Sequence, residues 1–204
     1  SESVGTYADA ADLSYTKAVK AGDIYKDLNL SDAIAVKGVK IYVDGNEYTG
    51  TNLVAIKKGS DAKVGDSGNG VLTEVFYDDV ADTMVITQIV TYIGEVAKTV
   101  KATDKRDAYV VITAKTGDNN AYTMPKDSKG IKASPLEFET DETFADNTYV
   151  LYTYSFKAEA VKSLAAAEKV EGYVTKTINS AKDEDKNNGM TIAGTEYKMS
   201  LATA

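Results

Sequence analysis

The chain has 204 residues, is 43% hydrophobic, and sets 31 acidic side chains against 23 basic ones for a net charge of −8. A chain of this length buries about 70% of its unfolded surface, and no apolar run nears the ~20 residues of a membrane helix. The acidity, with Arg106 as the sole arginine, excludes the basic, arginine-bearing face of a nucleic-acid binder and disfavours an anionic membrane surface.

Three residue types are missing altogether. Without cysteine there is no disulfide framework, thiolate nucleophile or cysteine zinc site; without histidine there is no imidazole base and no histidine-ligated metal. Tryptophan, the strongest platform for stacking a sugar or a cation, is absent too. The first residue is Ser1, which reads as a chain processed or excised from something longer.

In chain order, residues 1–13 are small and polar and read as a loosely held entry segment. The stretch 15–24 fits neither the helical nor the strand period, and Leu28 to Ile34 reads as a short helix or a turn. Val36 to Val43 alternates, with Val39, Ile41 and Val43 on one side and Lys40 and Tyr42 on the other. Asp44-Gly45-Asn46 then predicts a tight hairpin turn into Glu47-Tyr48. A short strand is expected at 53–56, followed by a glycine-rich loop at 58–70. Gly65-Asp66-Ser67-Gly68-Asn69-Gly70 lacks the Lys-Ser/Thr ending of a phosphate-cradling loop.

Strands are predicted at 71–77 and 84–93 around the acidic turn Asp78-Asp79-Val80-Ala81-Asp82. The strand Gly94-Glu95-Val96-Ala97-Lys98-Thr99-Val100 follows, then a polar turn at 103–107 and a strand at 109–113. Gly117 to Asn120 turns the chain into Ala121-Tyr122-Thr123-Met124, and 125–135, which holds both prolines, reads as a linker or long loop. In the second half, strands are expected at 136–138 and 149–156. The latter places Val150, Tyr152 and Tyr154 opposite Leu151, Thr153 and Ser155. The alanine-rich stretch 159–169 admits a helix, with Ala160, Leu164 and Ala167 near one face, but reads as strand or mixed structure by analogy with the upstream strand; 183–189 reads as a solvated hairpin loop, and 190–192 with 196–199 as the closing pair.

One motif occurs twice. Gly94-Glu95-Val96-Ala97-Lys98-Thr99-Val100 returns 78 residues later as Gly172-Tyr173-Val174-Thr175-Lys176-Thr177-Ile178. Val110-Val111-Ile112 is answered by Met190-Thr191-Ile192, and Tyr48, Tyr122 and Tyr197, spaced 74 and 75 residues apart, each close a strand-turn-strand element. The expected fold is therefore all-β and elongated, built of tandem barrel- or sandwich-like modules of about 75 residues. The expected partition is a partial N-terminal module at 1–52, a module at 53–127 and its repeat at 128–204. Glycine at the head of each copy predicts a bend or a bulge.

The hairpin Val75-Phe76-Tyr77-Asp78 to Val85-Ile86, the strand Thr91 to Val96, and the pair 170–174 with 192–197 resemble the β-rich region of Firmicutes surface proteins that carry S-layer homology repeats. The resemblance spans most of residues 35–200 as strand patterning; the wall-binding repeat itself is absent. It implies an extracellular, cell-surface spacer with no catalytic activity. Its partners would be other surface modules or neighbouring copies.

Candidate sites are few. Asp78, Asp79 and Asp82, or Asp183, Glu184 and Asp185, could gather calcium, yet their spacing does not match an EF-hand and hairpin turns attract aspartate anyway. Glu74, Glu95 and Glu196 fall on predicted strands, and no spacing sets two of them face to face as glycoside hydrolysis requires. No catalytic residue, metal or cofactor is assigned. The fourteen tyrosines are the surplus: Tyr92, Tyr149, Tyr152 and Tyr154 form a candidate face for a glycan or a protein partner, unless they pack against cross-strand neighbours.

Overall fold

The computed structural model describes residues 11–15, 21–30, 38–47, 70–114, 135–178 and 189–198. The fold is all-β apart from one short helix: β1 (Leu13–Tyr15), α1 (Ala21–Asp27), β2 (Gly38–Val43), β3 (Asn46–Glu47), β4 (Val71–Asp78), β5 (Thr83–Val100), β6 (Tyr109–Ala114), β7 (Leu136–Glu139), β8 (Tyr149–Ser155), β9 (Ala160–Ala166), β10 (Val174–Ile178), β11 (Gly189–Ile192) and β12 (Thr195–Lys198). The expectations at 53–56, 58–69, 117–124, 125–134 and 183–188 lie outside the described residues. No helix among the described residues is long and apolar enough to cross a membrane.

The chain divides into two compact units, one comprising residues 1–90, 123–128 and 156–158, the other 91–122, 129–155 and 159–204. These divisions do not follow the expected partition at 52 and 127. The reason is β5. Sequence patterning splits it into a strand at 84–93 and another at 94–100, whereas it is one strand of 18 residues, well beyond the 3–10 usual in globular proteins. Its alternation never breaks between Met84 and Val96, so nothing along it ends the strand. Residues 83–90 serve the first unit and 91–100 the second.

In the first unit the strand order is β1-β4-β5-β2-β3. β4 and β5 form the expected antiparallel hairpin, from Asp78↔Thr83 to Val71↔Val90. Their inward residues Val71, Val75, Met84, Ile86 and Val90, with Ile41 of β2 and Ile24 of α1, make the core. Within this core Gln88 and Thr73 are buried directly opposite each other, and the Gln88 amide donates to the Thr73 hydroxyl at 3.2 Å. That bond satisfies what would otherwise be costly buried polar atoms.

The hairpin β2–β3 forms where Asp44-Gly45 predicts it, with φ of 47° and 85° at those two residues, as a type I′ turn requires. Unexpectedly, β2 pairs parallel to β5 from Gly38↔Thr83 to Val43↔Gln88. Where this ladder stops, Asp44 continues it: its own N–H donates to the Gln88 carbonyl at 2.9 Å, and its buried carboxylate accepts from the Val90 N–H at 2.8 Å. A side chain thus replaces the missing strand for one further turn of the ladder.

In the second unit, β5, β6 and β7 form an antiparallel meander, and β8 returns to the other edge of β5 with β9 outside it, giving the order β7-β6-β5-β8-β9. Strands β8-β5-β6-β7 are a Greek key. β7 and β9 approach each other without pairing, so the sheet curls but is not closed into a barrel. The core consists of Tyr92, Val96, Val110, Val111, Ile112, Leu136, Val150, Tyr152, Tyr154 and Val161. The alanine-rich stretch is strand, as expected, because β9 pairs along β8 from Val150↔Ala166 to Ser155↔Ala160. A separate three-stranded antiparallel sheet, β10-β11-β12, completes the unit. It turns from β11 to β12 at Ala193 and Gly194, whose φ values are 48° and 86°.

Candidate functional site

The four tyrosines do not share a surface. Alternation along β8 puts Val150, Tyr152 and Tyr154 inward and leaves Leu151 exposed. β5 turns Tyr92 to the same interior, directly across the ladder from Tyr152. Their rings stack with centroids 5.6 Å apart at 30°, an arrangement that adds to the burial of two large side chains. Tyr92, Tyr152 and Tyr154 are at most 3% exposed, whereas Tyr149 is 53% exposed. The candidate ligand face is corrected accordingly: three of its members are core. The physical reason is that burying an aromatic ring on the apolar side of a half-buried strand outweighs displaying it.

The repeated glycine motif is the most specific constellation in the chain, and its two copies adopt one local geometry. On the first copy, Val96 faces Ile112, Ala97 is skipped, and Lys98 faces Val111, Thr99 faces Val110 and Val100 faces Tyr109. On the second, Val174 faces Ile192, Thr175 is skipped, and Lys176 faces Thr191, Thr177 faces Met190 and Ile178 faces Gly189. Both strands therefore carry a bulge at the same position. The third strands match as well: Phe138, Glu137 and Leu136 face Val110, Val111 and Ile112, and Tyr197, Glu196 and Thr195 face Met190, Thr191 and Ile192. By register the counterpart of Tyr197 is Phe138; Tyr122 lies outside the described residues.

The glycines do not make the bulges, which begin two residues further on. Neither Gly94 nor Gly172 has the positive φ of the left-handed region, unlike Gly45, Gly70 and Gly194. What they allow is close approach. A Cβ on Gly94 would lie 2.5 Å from Ile112 Cγ2, 3.2 Å from the Thr113 carbonyl oxygen and 3.2 Å from Tyr152 Cε1; one on Gly172 would lie 2.8 Å from Ile192 Cγ2. In each copy the isoleucine that faces the motif valine also fills the space over its glycine. Sequence reading found the glycine but assigned it to bending, because nothing local shows which side chain lies above it.

The acidic residues of the β4–β5 turn hold that turn. Asp78 Oδ1 accepts from the Val80 and Ala81 N–H groups at 3.0 and 2.9 Å, and Asp82 Oδ1 accepts from the Tyr77 hydroxyl at 3.2 Å. The two bonds to Asp78 are the local side-chain-to-backbone bonds for which turns select aspartate. No group of three or more metal-ligating residues gathers among the described residues. Glu74 faces Ser14 and Thr87, Glu95 faces Thr113 and Tyr149, and Glu196 faces Thr191, so no ladder opposes two of these acids.

Arg106, in the polar turn expected at 103–107, closes the β5–β6 connection. Its guanidinium lies 3.7 Å from the centre of the Tyr109 ring and 2.6 Å from Glu137 on β7. The bond to Glu137 holds its pKa above the usual arginine value. Tyr15 on β1 donates its hydroxyl to Asp27 of α1 at 2.8 Å. Burial first, and then that bond and the negative charge of Asp27, push its pKa above the usual tyrosine value. Each of these polar groups fastens one element to another.

Comparison with protein families, with curated proteins and with solved structures returns no match to this chain.

Proposed function

We propose that the chain is a structural spacer of a secreted bacterial cell-surface protein of the S-layer type, without catalytic activity, built on a duplicated β unit. The observation that carries the reading is the recurrence of the bulged strand: residues 94–100 and 172–178 face isoleucine, skip one residue and continue in identical register. Duplication of a short β unit lengthens a chain without adding chemistry, which suits an architectural role. The disposition of polar groups supports it further, since Asp44, Asp78, Asp82, Arg106 and the buried tyrosines are engaged in turns, ties and core. A tyrosine-lined binding face, the alternative reading, retains only Tyr149.

The test is location on intact cells of the source organism. Antibodies raised against the recombinant chain should label unpermeabilised cells, and external protease should remove the signal. Labelling that requires permeabilisation refutes the proposal.

A further inference from the structure

β10 is an edge strand among the described residues, hydrogen-bonded to β11 alone. Its register counterpart, the second half of β5, is covered on the corresponding edge. There Thr91 to Glu95 pair antiparallel with Thr153 to Tyr149 of β8, and Val96 exchanges backbone bonds with Asn147 and Thr148 at 2.8 and 2.9 Å. Aligning Gly94 with Gly172 makes Lys169 to Tyr173 the equivalent of Thr91 to Glu95. This stretch is bare: Val170 is 40% and Tyr173 90% exposed, and the adjoining Val174 is 53% exposed.

We propose that this stretch, which lies between β9 and β10 and belongs to neither strand, is the docking site for a second copy of the chain, the two copies pairing antiparallel through residues 167–173 about a twofold axis at Val170. β8 on β5 supplies the precedent for the geometry, since it too runs antiparallel on the equivalent residues. Charge identifies the partner. Pairing centred on Val170 sets Lys169 opposite Glu171 of the second copy and Glu171 opposite its Lys169, with Ala167 opposite Tyr173 on the same face. Moving the axis one residue in either direction sets Glu171 against Glu171 or Lys169 against Lys169, so the register is selected by charge. Lysine on an exposed edge usually keeps strands apart. Here Lys169 and Glu171, which form an ion pair within one copy, exchange partners instead of repelling. Such a contact is isologous and closes on itself.

Sedimentation velocity on the full chain over a wide concentration range tests this. The wild type should reach a dimer. Lys169→Glu and Glu171→Lys should each weaken dimerisation about tenfold or more, with unchanged circular dichroism because both side chains are exposed. An equimolar mixture of the two single variants should dimerise again, and the double exchange K169E/E171K should restore self-association. A monomeric wild type, a dimer indifferent to both charges, or failure of the mixture to associate overturns the inference. A wild type that stays monomeric yet captures a synthetic peptide of the β8 sequence also overturns it and gives the edge to a foreign strand. The inference rests on register and charge order, not on cellular location, so its failure leaves the spacer reading standing.

Discussion

Substituting Gly94 by alanine isolates the role assigned to the repeated motif. The new Cβ would sit 2.5 Å from Ile112 Cγ2, about 1 Å inside the ~3.5–4.0 Å optimum for carbon–carbon contact. Ile112 is fully buried and β-branched, hence stiff at χ1, and the Thr113 carbonyl and the Tyr152 ring close the site at 3.2 Å each. Overpacking of this kind costs ~1–3 kcal/mol. Removing a glycine from the unfolded chain offsets about 0.4–1 kcal/mol of that. The expected net loss is therefore about 1.3 kcal/mol in urea unfolding followed by tyrosine near-ultraviolet circular dichroism. Ile112→Leu moves the branch away from Cβ, so the double variant should lose about 1 kcal/mol less than the sum of the singles. Gly172→Ala should cost less, ~0.5–1 kcal/mol, because Ile192 is only half-buried and can turn aside. A loss under ~0.5 kcal/mol for Gly94→Ala, or strict additivity with Ile112→Leu, would refute close approach as the reason for the glycine.

Other outcomes follow from the same packing. Tyr152→Ala should lose ~3–5 kcal/mol, as truncated buried aromatics do, while Tyr149→Ala should stay within about 1 kcal/mol in the same urea titration; equal losses would mean that the tyrosines share one environment. Asp44→Ala leaves the buried Val90 N–H unpaired and puts alanine at φ 47°, so a loss of ~2–4 kcal/mol is expected, with Asp44→Asn intermediate. Because the pKa of Tyr15 is raised in the folded state, the unfolded chain releases that proton first. The contribution is complete below pH ~10 and declines as pH rises above it. Tyr15→Phe should flatten that alkaline decline in thermal melts, and an unchanged slope would exclude Tyr15 as its source.

Most strands were legible because β-branched and aromatic residues alternate along them: those at 71–77, 109–113, 136–138 and 149–156 were placed within a residue or two of β4, β6, β7 and β8. The type I′ turn at Asp44-Gly45 was legible from two residues that tolerate positive φ. The continuity of β5 was not, since a glycine within an alternating run reads as an interruption until Ile112 is seen to fill its place. Nor could alternation tell which face of β8 was core, because Leu151 and Thr153 on one side look as strand-like as Tyr152 and Tyr154 on the other.

By itself, then, the sequence determined what these residues must do locally: period-two patterning dictates strands, Asp-Gly dictates a turn, and the recurrence of Gly-x-Val-x-Lys-Thr dictates two like hairpins. Only the tertiary structure decided how the strands share partners. β2 joins β5 in parallel, β8 pairs with the later part of the same strand on the edge opposite β6, and β10 is left without such a partner among the described residues. Alternation is a property of one strand against water, whereas pairing is settled by which other strand brings a matching face and register. That competition involves residues far apart in the chain and leaves no mark in either segment alone.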